Sequence, residues 1–138
     1  MAQPKIVRSD EVQPQNIRGL GKEAGQIRKI ITTEKLFFNV DEVSPGFSPH
    51  HWHRHTKYQA EGYEVEYPAD FEEIYFILSG RGVIQWKTES GEIREQEVGP
   101  GDTIHLPRGV VEHQLLNNGN EKIRLAVVGV PPPRRRPI

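Results

Sequence analysis

The chain has 138 residues, a formal charge of -1 and hydrophobic residues at 35% of its positions. That length makes one domain, able to bury roughly two thirds of its unfolded surface, and near-neutrality leaves no positive field for a nucleic acid or an anionic membrane, so neither is expected as a partner. Cysteine is absent, which excludes disulfides, thiolate ligands and cysteine nucleophiles together and leaves His, Asp and Glu as the strong metal ligands.

Residues 1–25 mix Gln, Pro, Gly and charge around isolated Ile6, Val7, Val12, Ile17 and Leu20, a pattern with neither helical nor strand period. They read as an extended N-terminal arm. Gln26 to Thr32 and Lys35 to Val43 are rich in Ile, Phe and Val and read as two strands. Ser44-Pro45-Gly46 ends the second and delivers the chain to His50-His51-Trp52-His53-Arg54-His55, where four of the six histidines lie. In an extended strand His51, His53 and His55 share one face. Neutral imidazole is a favoured ligand for divalent transition metals, and a nearby carboxylate adds charge and a hard oxygen.

Thr56 to Asp70 holds three tyrosines, Tyr58, Tyr63 and Tyr67, and four acidic residues. It is a long insertion, read as a lid over the histidine face or as a solvated excursion. Phe71 to Leu78 is the strongest strand in the chain. Glu73, Tyr75 and Ile77 share one face and Ile74, Phe76 and Leu78 the other, so both sides call for burial. The outer side is expected to be covered by the arm or by a second subunit, which makes a homodimer the expected assembly. Val83 to Lys87 and Glu92 to Val98 follow as hairpin strands; pairing Leu78 with Val83 would set Tyr75 opposite Trp86 and Ile77 opposite Ile84, giving an aromatic and aliphatic floor beside Glu73. Thr103 to Leu106, Val110 to Leu116 with His113, and Lys122 to Val130 complete the strands. His105 can point either way. Pro131 to Ile138 reads as an extended polyproline-type tail carrying three arginines.

Short strands, turn signals and no convincing helix argue for an all-β sandwich or barrel over residues 26–130, with the tail at 131–138 flexible. At this point the chain resembles the cupins, the double-stranded β-helix or jelly-roll proteins. The resemblance rests on Pro45-Gly46 and Pro49 before His51-Trp52-His53, on Glu73 and Gly80 with six residues between them, on Gly101 and Pro107-Arg108-Gly109 with five between, and on His113 and Asn117 with three between. It departs from the family pattern in the long insertion before Glu73 and in one extra residue between Gly109 and His113. His53-Arg54-His55 fits the spacing nearly as well as His51-Trp52-His53.

The resemblance implies one divalent transition metal held inside the barrel by His51, His53, Glu73 and His113. Iron suits an oxygenase; zinc, manganese, nickel, cobalt and copper accept the same donors. Tyr75 becomes the candidate catalytic residue, and Trp86, Ile77 and Ile84 the candidate substrate walls. The expected function is a metal-dependent oxygenase acting on a small, mostly uncharged organic substrate. The alternatives are an isomerase, cyclase, decarboxylase or lyase that uses the metal as a Lewis acid, and a ligand-binding protein without turnover. No apolar run has the length of a membrane span or a signal-peptide core, so the expected location is the cytoplasm.

Overall fold

Period-two alternation of apolar and polar residues carries most of the chain into strands. The computed structural model describes residues 2–17, 21–50, 57–60, 62–109 and 112–138, with side chains at all of these except 21, 22 and 57–60. A short 3-10 helix, Ser9–Glu11, comes first. It is followed by β1 (Gln15–Ile17), β2 (Gly21–Thr32), β3 (Phe37–Val43), β4 (Lys57–Ala60), β5 (Tyr63–Glu66) and β6 (Glu72–Ser79). The chain continues through β7 (Gly82–Lys87), β8 (Ile93–Val98), β9 (Thr103–Leu106), β10 (His113–Leu116), β11 (Ile123–Val130) and β12 (Arg134–Pro137).

The strands form a six-stranded sheet in the order β1-β2-β3-β11-β6-β9, a three-stranded sheet β10-β7-β8, and a second three-stranded sheet β12-β5-β4. All pairings are antiparallel. The first two sheets share one core: Val43, Tyr75, Ile77, Ile104, Leu106, Leu125 and Val127 come from the large sheet, and Ile84, Val98 and Leu115 from the small one. This is the all-β jelly roll expected from the sequence. In β6 and β11 every second side chain is buried, as a sheet with one face on a core requires.

The expected hairpin between β6 and β7 does not form. β6 pairs with β11 and β9, whereas β7 pairs with β10 and β8 in the other sheet. Trp86 therefore lies opposite His113 and Ile84 opposite Leu115, not opposite Tyr75 and Ile77. Gly80 explains the switch. Its backbone is left-handed, at φ 83°, and an added Cβ would lie 2.3 Å from the carbonyl oxygen of Lys122, so the chain crosses between sheets at a point where only glycine fits.

Other boundaries also move. The region read as an arm contains β1 and the first residues of β2, and β1 pairs with β2 at Gly21, Gln26 and Ile27. The insertion holds a hairpin, β4 and β5, and the Pro/Arg-rich C-terminal segment adds β12 to the edge of β5, with Arg134 opposite Glu66 and Arg136 opposite Glu64. Opposite charges across that ladder favour the pairing, and the Arg135 guanidinium lies 4.6 Å from the centre of the Tyr63 ring. Among the described residues no helix is long and apolar enough to cross a membrane.

Candidate metal and substrate site

Glu73 lies near the start of β6 and His113 at the start of β10, beside the end of β7. Because β6 ends at Ser79 and β7 begins at Gly82, the start of β6 and the end of β7 lie at the same end of the barrel. The two side chains are thus brought to one end from opposing sheets. Glu73 is 4% exposed and His113 fully buried. Each shares its strand face with core residues: Tyr75 and Ile77 for Glu73, Leu115 for His113. Two such polar groups in an otherwise aromatic and aliphatic interior are expensive to desolvate unless something there engages them.

His51 and His53, and with them His55, lie outside the described residues. Among the described residues no group of three potential ligands forms a metal cluster. The described segment leading into the histidine run is nonetheless tied to the strand end beyond His113. Gly46 N–H donates to the Asn117 carbonyl at 2.7 Å, and Asn117 N–H donates to the Phe47 carbonyl at 2.9 Å. Asn117, buried like His113, also donates its amide to the carbonyls of Val43 (2.9 Å) and Glu121 (2.8 Å). The final Asn of the second motif is therefore a clamp on Gly46 and Phe47, which lie a few residues before the histidine run.

Tyr75 is buried next to Glu73 along the inner face. Burial first, and then the negative field of Glu73, hold its phenol well above the usual range. Ile77 and Ile84 sit in the core, 1% and 7% exposed, and Trp86 is half-buried against it. His105 points outward, its Nε2 2.9 Å from Glu72 Oε1, with both side chains more than half exposed. At the Glu73 end an aromatic row ties the insertion to the barrel. Tyr67 packs on Phe71 at 4.6 Å between ring centres, and Phe71 stacks with Phe37 at 6.2 Å. The Phe37 ring lies across Gly129, where a Cβ would come within 2.2 Å of it, and Gly129 is the β11 neighbour of Glu73.

The sequence reading passed over Asp41. It lies on β3 opposite Leu125 of β11, which in turn faces Ile77 of β6, so it shares the inner face of the large sheet with these core residues. It is 2% exposed, and its Oδ1 is buried without a hydrogen-bond partner. Burial, reinforced by the charge of Glu73, pushes its pKa up from 3.8 to about 8. Asp41 also acts on Tyr75, so the phenol senses both carboxyls.

Residues 62–129 match the model of the cupin domain family. A 61-residue stretch is 36% identical to an uncharacterized protein of Methanocaldococcus jannaschii, covering 44% of each chain; the match spans less than half of that curated relative. Among solved structures, a predicted oxalate decarboxylase from Thermotoga maritima is 25% identical and superposes with a TM-score of 0.63 over 91% of this chain and 98% of its own. The polyketide cyclase RemF from Streptomyces resistomycificus, 23% identical, superposes with a TM-score of 0.66 over 99% of this chain and 86% of its own, a likeness of fold.

Proposed function

Because the chain belongs to the cupin superfamily, we propose that it is a metal-dependent enzyme acting without net oxidation on a small, mostly uncharged organic substrate, as a cyclase, decarboxylase, isomerase or lyase. What supports this reading is the burial of two polar side chains, Glu73 and His113, on strands of the two sheets that share one core, with Tyr75 next to Glu73 on its strand face. The donor set fits a divalent transition metal: His51, His53, Glu73 and His113 would hold it, with three nitrogens and one oxygen. Such an ion, when bound, supplies Lewis-acid polarisation of a carbonyl or stabilises an enolate.

The chain's own residues do the rest. Tyr75 presents an O–H that can donate a hydrogen bond to a developing oxyanion or hand over a proton. Ile77 and Ile84 keep water from the interior, which strengthens every electrostatic contact there. Trp86, opposite His113, offers a flat apolar wall to an unsaturated substrate. The predicted oxalate decarboxylase among the solved neighbours supports the non-redox class.

An oxygenase is the second reading. It is favoured by the same dry walls, which would shield reactive intermediates from solvent. Either way the chain is read as a homodimer joined through the outer face of β6.

The deciding experiment is elemental analysis of protein purified without oxygen and without a nickel column. Near-stoichiometric zinc, with turnover indifferent to oxygen, is the expected result. Near-stoichiometric iron with oxygen-dependent turnover selects the oxygenase. Glu73→Gln and His113→Ala should each lower metal content by at least about tenfold, and full retention in both would overturn the metal centre.

A further inference from the structure

Three levels can be read down the inner face of the large sheet. Glu73 is level with Gly129 and Phe37, Tyr75 with Val127 and Asn39, and Ile77 with Leu125 and Asp41. Asp41 thus lies one level below Tyr75 and Asn39 and two levels below Glu73. Its surroundings are those of a core, yet its Oδ1 has no hydrogen-bond partner and no access to solvent. A buried, unpartnered carboxyl oxygen is unfavourable for folding, and a leucine of similar size would pack there without that penalty. Such groups persist where a ligand completes them.

We propose that Asp41 is a ligand-binding residue of the barrel interior, whose carboxyl hydrogen-bonds a neutral hydroxyl on an aromatic substrate. The hydroxyl follows from the surroundings: an ammonium group would have to be desolvated among Ile77, Leu125 and Val127, whereas a hydroxyl enters at far lower cost and satisfies Oδ1 with one hydrogen bond. The aromatic ring follows from Phe37, Phe71, Tyr67 and Tyr75 at and below the Glu73 end. This inference rests on the active-site reading above and names the substrate class it serves.

The test uses the metal-loaded full chain and two probes, resorcinol and its dimethyl ether, which cannot donate a hydrogen bond. Affinities are measured by calorimetry, and melting temperatures and metal contents on the same preparations. Wild type should prefer resorcinol, Asp41→Leu should weaken resorcinol binding by about tenfold, and Asp41→Asn, which keeps an acceptor oxygen at the same place, should retain the preference, while neither changes binding of the ether. Asp41→Leu should melt at or above the wild-type temperature, because the unsatisfied carboxyl is gone. No preference in wild type, a preference retained in Asp41→Leu, or a melting temperature of Asp41→Leu below that of wild type would overturn the proposal. Absence of metal from wild type would defeat the active-site reading alone, since the hydroxyl preference is read from Asp41.

Discussion

At the scale of single residues, the polar groups inside this barrel divide by what satisfies them. Asn117 spends its amide on two carbonyls and its backbone on a third segment, so it belongs to the architecture. Asp41 bonds nothing through Oδ1, and its environment gives a prediction about pH. Its carboxyl titrates near 3.8 in the unfolded chain and near 8 in the folded one, from burial first and Glu73 second, with Tyr75 the other titratable group that responds to it. The folded state therefore holds a proton that the unfolded state releases between those values. Stability falls as pH rises through that window, by up to about 1.4 kcal/mol per pH unit for one proton. Urea midpoints of metal-free protein should drop between about pH 5 and about pH 8 in wild type and change less in Asp41→Asn. Equal slopes in the two proteins would show that Asp41 is not the group responsible.

At the scale of elements, what could be read from sequence depended on whether a strand states its inner face locally. β6 does: Glu73, Tyr75 and Ile77 alternate with Ile74, Phe76 and Leu78, and the spacing of Glu73 to Gly80 marks the charged residue as an inner one. β10 does so through His113 and Asn117. β3 does not. Phe37-Phe38-Asn39-Val40-Asp41-Glu42-Val43 has apolar residues on both faces and two adjacent acids, so only its pairing with β11, far along the chain, decides that Asp41 faces in and Glu42 out. The sheet assignment of β7 was hidden for a related reason. Ser79-Gly80-Arg81-Gly82 suits a hairpin and a crossing equally well, and the choice depends on how closely Lys122 approaches Gly80.

The insertion and the C-terminal segment were each read as irregular, because each is half of a structure whose other half lies some seventy residues away. That partnership is testable. Removing residues 133–138 strips β12 from β5, so amide exchange at Tyr63–Glu66 should accelerate by at least about tenfold while metal content stays at the wild-type level. Unchanged exchange would mean that β12 lends the hairpin no stability.

For the whole molecule the unresolved tension is the outer face of the large sheet. Ile74, Phe76 and Leu78 remain 42%, 41% and 43% exposed, so the N-terminal segment, drawn instead into β1 and β2, does not cover them. In register beside them lie half-buried Val128, Phe38 and Ala126, which extend the apolar surface across three strands, whereas Val40 on the same row is already buried. Its margins carry charge, with Glu72 paired to His105 on one side and Arg124 4.0 Å from Glu42 on the other. An apolar centre with a charged rim is the anatomy of a protein interface. A two-fold pairing of identical faces would bury the stripe against itself. Sedimentation should therefore give twice the 15.8 kDa of one chain, and Phe76→Lys combined with Ile74→Lys should return the monomer. Each of these side chains points away from the core, so the double variant should match the wild type in metal content and strand content. A wild-type monomer at working concentration, or a double variant that still sediments as a dimer, would leave that face for another partner.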